Sequence, residues 1–260
     1  MLNYIRAEFY KLLRRKYTYL VPGGFLVMEA MLLAGFAFHN SHSNPTPFGN
    51  AVSIISSLGA LGFCVCLFSA DIVFAAQYKH STLKNEVSFG LSRTRIYLGK
   101  LISQILLSTA YMVVMLGLYV GACAVILPLE PTATGDYSTA EALAILGYFL
   151  AAAFPLWVGA QAATCMCVFL IHSDMAAACA SLALTMMLNT IVELVGLFAG
   201  GKAGGVLIKI SRHMPGYMIS LIGEVVGDPV FLGKAWIVGL FWLAASTTIG
   251  LYAFNRKEIK

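Results

Sequence analysis

Six long apolar runs set the pattern of the chain, at 17–38, 51–76, 101–127, 142–171, 175–200 and 235–254. Each is near or above the roughly 20 helical residues needed to cross a hydrocarbon core of about 30 Å. Glu29 is the only charge in the first run and Glu193 the only one in the fifth. The second is uncharged up to Ala70 and then meets Asp71, and the third, fourth and sixth carry no charge. The first run is too long for a cleavable signal, and no small-residue cleavage site follows it. No internal repeat and no linker marks a second domain. The pattern predicts an all-α polytopic membrane protein, with one six-span transmembrane domain over 1–260.

Three polar segments between the runs have patterns of their own. In Met1–Lys16, Leu2, Ile5, Phe9, Leu12 and Leu13 recur every three to four residues among basic ones. This predicts an amphipathic elbow helix along the membrane face, its apolar side in lipid. In 77–100, Thr82 is placed to cap a short helix through Asn85–Phe89. Gly90 would stop that helix, and Ser92 would cap a second one running into the third span. In 201–234, Met218, Leu221, Ile222 and Val225 share a helical face between Pro215-Gly216 and Asp228-Pro229. That helix is too short to span; it either dips in as a re-entrant segment or lies at the outer surface.

Composition excludes a soluble fold. Hydrophobic residues make up 59% and charged ones 11%, against about 25% charged in soluble domains, and the mean hydropathy is +0.81. The 17 Lys+Arg outnumber the 12 Asp+Glu, and their placement matters more than their total. Thirteen lie before the first run, in 77–100 and in the tail; only Lys202, Lys209, Arg212 and Lys234 lie in the connection before the last run. The positive-inside rule then puts both termini in the cytoplasm, as an even number of spans requires.

Catalytic chemistry is not apparent. Gly196–Ala203 approaches the phosphate-cradling G-x-x-x-x-G-K-[ST], but Ala203 stands where the Mg²⁺-holding hydroxyl belongs and no strand precedes it. Cys64 and Cys66, like Cys165 and Cys167, point about 200° apart around a helix and read as packing residues. All six cysteines lie in apolar runs, which argues against a secreted disulfide framework. His172-Ser173-Asp174 is too contiguous for a triad; Asp174 is expected to cap the fifth span. His39 and His42 are placed in an outer loop. Gln104, Gln161, Thr164 and Asn189 read as glue between helices, and Pro155 as a loosening of the fourth span. No metal or cofactor site is expected. Glu29 and Glu193 remain, each costing at least a few kcal/mol at membrane depth unless it faces protein or water. With Asn189, one turn from Glu193, they are the candidate substrate path. The alternative is a protonated glutamate hydrogen-bonded within the helix packing.

The run Tyr78-Lys79-His80-Ser81-Thr82-Leu83-Lys84-Asn85, followed by Gly90-Leu91-Ser92-Arg93 and Lys100, carries a resemblance. It is similar to the acidic-Tyr-Lys-x-Gly-Thr-x-Lys-Asn run, Ser-Arg pair and Lys of ABC-2 class ATP-binding cassette permeases, especially those of bacitracin and lantibiotic export or immunity. Gln77 replaces the usual acid and Ser81 the usual glycine. The elbow, the six spans and the helical insertion before the last span extend the resemblance over the whole chain. It implies that 77–100 forms a coupling helix docked on a separate ATPase, with Lys79, Thr82, Lys84, Asn85 and Arg93 at that interface. ATP and Mg²⁺ would be bound by that partner. The resemblance further implies a homodimer, or a heterodimer with a second permease, in the bacterial plasma membrane. The implied cargo is an amphipathic peptide, a peptide antibiotic or a hydrophobic drug. A non-transporting immunity or sensor subunit fits the same sequence. An intramembrane enzyme fits it less well, because the acids are isolated.

Overall fold

The computed structural model describes residues 1–42, 45–58, 61–74, 86–171 and 173–256, which are mostly helical with no strand among them. The helices are α1 (Leu2–Leu13), α2 (Tyr17–His42), α3 (Phe48–Ser57), α4 (Leu61–Phe74), α5 (Arg93–Ile126) and α6 (Thr139–Leu170). They continue as α7 (Asp174–Leu182), α8 (Leu188–Ala199), α9 (Gly201–Ser211), α10 (Pro215–Leu221) and α11 (Pro229–Arg256). Between α7 and α8 the helix widens into a π turn over Ala183–Met187. Five stretches are long and apolar enough to cross a membrane: α2, α5, α6, α11 and the composite Met175–Ala199.

Several boundaries correct the sequence reading. The second run is two helices, α3 and α4, and not one continuous rod. A pause at Leu58, the C-cap of α3, separates them. The helix of the third span begins at Arg93, with Ser92 in extended geometry at the N-cap position expected of it, so the helix starts ahead of the apolar run at Leu101. The last begins at Pro229 and not Ala235, because proline is accommodated in the first turn of a helix. Ser173, and not Asp174, caps the fifth span: its side chain accepts from the Ala176 N–H at 3.5 Å. His39 and His42 belong to the last turns of α2, so the predicted outer loop starts later. The insertion holds two helices where one was expected. α9 was missed, and α10 ends at Leu221, short of Val225. Gly200 and Gly201, both with positive φ, make the turn between α8 and α9 within the false phosphate loop. Pro155 sits inside an unbroken α6.

Hydrogen bonds between loops define two ends of the bundle. At the far end, Phe48 N donates to Pro128 O at 2.8 Å, and Asn50 Nδ2 to Asp136 Oδ1 at 2.7 Å. Tyr148 Oη donates there to Asp228 O at 2.8 Å. At the other end, Arg15 Nη1 donates to Ile72 O at 2.7 Å, and Arg93 Nη1 to Phe254 O and Asn255 O at 2.9 and 2.8 Å. α3 therefore starts at the far end and α4 finishes at the α1 end.

α6 is the most buried of the five long stretches and packs against α3, α4, α5, α7, α10 and α11. Its longest contact is with α11, where small residues let the backbones meet. Gly239 lies against the Pro155 backbone, and a Cβ on Gly159 would come within 2.9 Å of Gly239 O. Gln104 Nε2 donates to Gln161 Oε1, as does Ser69 Oγ at 3.1 Å, which ties α4, α5 and α6 together as expected of interhelical glue. α2 and the α8 region, by contrast, show most of their apolar surface.

Candidate functional site

Two features of this frame carry chemistry, one at the α1 end and one inside the bundle. The first is a buried charge cluster. α1 does not simply rest its apolar side in lipid, as its periodicity suggested. Leu12 is 1% exposed in the protein core, while Leu2 and Leu13 remain largely exposed. The same inner face carries Glu8, 3% exposed, opposite Lys100 of α5, 2% exposed. Lys100 Nζ lies 3.3 Å from Glu8 Oε2, and Lys11 Nζ 2.9 Å from Glu8 Oε1. Glu86, in the helical turn over 86–88, completes the group at 3.5 Å from Lys11 and 4.0 Å from Lys100. Tyr4 Oη donates to Glu86 Oε2 at 2.9 Å.

Two carboxylates thus face two ammoniums, and the buried charges compensate one another. Burial alone would raise the Glu8 carboxyl, but Lys100 and Lys11 beside it hold it below its ordinary 4.5. Burial, with Glu8 and Glu86 nearby, pushes the Tyr4 hydroxyl up and keeps it a donor. Gly99 leaves room for the Tyr4 ring against α5. The cluster joins α1 to the described part of the proposed coupling segment, whose Lys79, Thr82, Lys84 and Asn85 lie outside the described residues. Two further bonds extend the link. Thr18 Oγ1 closes on Leu12 O at 2.7 Å, joining α1 to α2, and Arg15 reaches the end of α4.

Arg93, the described member of the expected interface, holds the last carbonyls of α11 and lies 5.8 Å over the Phe254 ring. Gly90, at φ 82°, ends the turn that begins at Glu86, as its position predicted. Glu8, Glu86 and Tyr4 were missed by the sequence reading. The signal available was the Glu8–Lys11 spacing, which puts an acid beside a base on one helix face.

The second feature is a half-open cavity of about 350 Å³ between α2, the α3–α4 break, α5 and α6. Glu29 is in its wall, the one charged residue there among the described residues. The structure does not bring Glu193 or Asn189 to it. Asn189 lies instead beneath α10, where a Cβ on Gly216 would sit 2.8 Å from its Oδ1, an atom with no hydrogen-bond partner among the described residues. Glu193 is half-buried one turn further along α8.

Residues 4–187 match the family described as ABC-2 family transporter protein. The chain belongs to the ABC-2 transporter family. The match runs from α1 through the π turn and includes the whole charge cluster and the cavity. No curated protein matches the chain. An ABC-2 family permease is the membrane subunit of a transporter and not itself the catalyst, and membership implies association with an ABC ATP-binding subunit. The five long apolar stretches agree with a multi-pass membrane protein.

Proposed function

We propose that this ABC-2 permease is the membrane half of an exporter that moves an amphipathic peptide, a peptide antibiotic or a hydrophobic drug outward. A separate cassette ATPase supplies the energy and binds the ATP and Mg²⁺. In this reading α3 and α4 together form the second of six spans, the termini are cytoplasmic, and two permease copies, or one copy and a sister, enclose the path. The ATPase grips 77–100 through Lys79, Thr82, Lys84, Asn85 and Arg93.

The buried cluster is the observation that supports this reading most. When nucleotide closes the ATPase pair, the coupling segment moves with it. Glu86, within that segment, passes the displacement to Tyr4, Lys11 and Lys100. α1 then carries it through Arg15 to the end of α4, whose other end forms part of the cavity wall. A rigid, satisfied polar network transmits such a displacement where a loose loop would absorb it.

Co-purification with a separately encoded cassette ATPase tests the docking. Lys84→Glu is expected to abolish association and ATP-driven transport while leaving the fold intact. Arg93→Glu is expected to do so too, though part of its effect arises from the α11 carbonyls that Arg93 holds. Survival of association and transport in both variants would overturn the assignment of 77–100.

A further inference from the structure

We propose that the cavity beside Glu29 binds hydrophobic monocations: bulky, largely aromatic or alkyl bodies bearing one delocalised or tertiary positive charge. The proposal rests on the permease reading for its role, but not for the binding itself. Its lining has the composition such a ligand requires. Four aromatic side chains face it, Phe25, Tyr119, Phe149 and Trp157, along with three methionines, Met28, Met112 and Met115. Aromatic faces attract a cation electrostatically, more strongly where water is excluded. Methionines are unbranched and polarizable and adapt to ligands of differing shape.

Glu29 supplies the countercharge. Among the described residues no cation pairs with it and no donor bonds to it, in contrast to Glu8 and Glu86, whose partners are all internal. Tyr119 is not available to it as a donor, because its hydroxyl is held by Ala51 O at 2.9 Å. An acid in so apolar a wall is unfavourable unless something compensates it, and a lipophilic cation does so while its body covers the aromatic surface. The volume, about 350 Å³, lies at the small end of the roughly 300–1,000 Å³ typical of drug-sized sites. An anion is disfavoured by the same carboxylate, and a multiply charged peptide segment would carry charges that this wall does not match.

The wall also draws on the second run. Ile55, Leu58 and Gly62, on either side of the α3–α4 break, form one wall.

The test measures equilibrium binding of two ions of similar shape and opposite charge, tetraphenylphosphonium and tetraphenylborate. The purified full chain is used in neutral detergent without an ATPase, with protein-free micelles as the reference. The cation is expected to bind at least tenfold tighter than the anion after that correction, and Glu29→Gln is expected to remove the preference. Glu29→Asp should restore part of it. Met115→Trp, which fills the space, should weaken the cation with Glu29 intact, and the unfolding midpoint of each variant checks its fold. Equal binding of both ions, or a preference that survives Glu29→Gln, would mark the cavity as a packing gap filled by detergent or lipid chains, and the proposal would fail. Cation binding without ATP-driven flux in the assembled complex would leave the site standing and defeat the exporter reading. ATP-driven flux of other cargo without cation binding would do the reverse.

Discussion

Replacing Lys100 by methionine removes one ammonium from the cluster while keeping most of the side-chain volume. At 3.3 Å from Glu8 and 4.0 Å from Glu86, the gross attractions are about 5 and about 4 kcal/mol at an effective dielectric of 20. The desolvation of Lys100, 2% exposed, offsets much of this in the native protein. The variant, however, loses the attraction and leaves Glu8 buried with only the half-exposed Lys11 beside it. Breaking a buried pair in this way costs about 3–5 kcal/mol. Reversible unfolding in mixed micelles reads the loss. The decisive comparison is the double variant Lys100→Met with Glu8→Gln, which keeps the Lys11–Glu86 pair and carries no orphaned charge. It should recover most of the stability. A single-variant loss under about 1 kcal/mol, the size of a surface ion pair, would refute the view that the cluster clamps α1 to the bundle.

Three further outcomes follow from the same geometry. The folded Glu8 carboxyl is held below its ordinary 4.5, so its contribution is complete above that pH and is lost as the pH falls beneath it; a solvent-sensitive dye on Arg6→Cys, with Cys179→Ser, should report release of α1 on acidification, and Glu8→Gln should remove that transition. Gly239→Val forces the α6–α11 seam apart and should cost about 1–3 kcal/mol or more, whereas Gly35→Val, with open space around its Cβ, should change unfolding little. Arg93→Gln should speed hydrogen exchange in the last turn of α11 by removing the donor to Phe254 O and Asn255 O, with a stability loss of about 1–3 kcal/mol.

Long apolar runs with no internal charge were legible because hydropathy alone specifies a spanning helix; α6 appears close to where that pattern put it. Boundaries were less legible. Pro229 starts a helix before the apolar run does, since a first turn accommodates proline and Asp228 Oδ1 accepts from Val230 N there, whereas the start at Ser92 was read from its residue type and place. The end of α3 was invisible because Leu58, its C-cap, is as apolar as the residues before it. α9 was hidden by its glycines, which lower helix propensity yet allow the close approach of Gly204 to Gly196. At the candidate site, Glu29 was found because a charge at membrane depth is conspicuous. The cluster was not, since Glu8 and Glu86 look like ordinary surface acids until the fold sets Lys100 between them.

The seam between α6 and α11 has a consequence for biogenesis. Of the helices described, α11 leaves the ribosome last, yet it covers the longest face of the most buried one. Until it arrives, the groove at Pro155 and Gly159 has no protein partner, and the nascent bundle must wait with its centre open to the insertion machinery. Closure of the bundle is thereby deferred to Pro229–Arg256, and a chain lacking that segment is expected to leave this face of α6 uncovered.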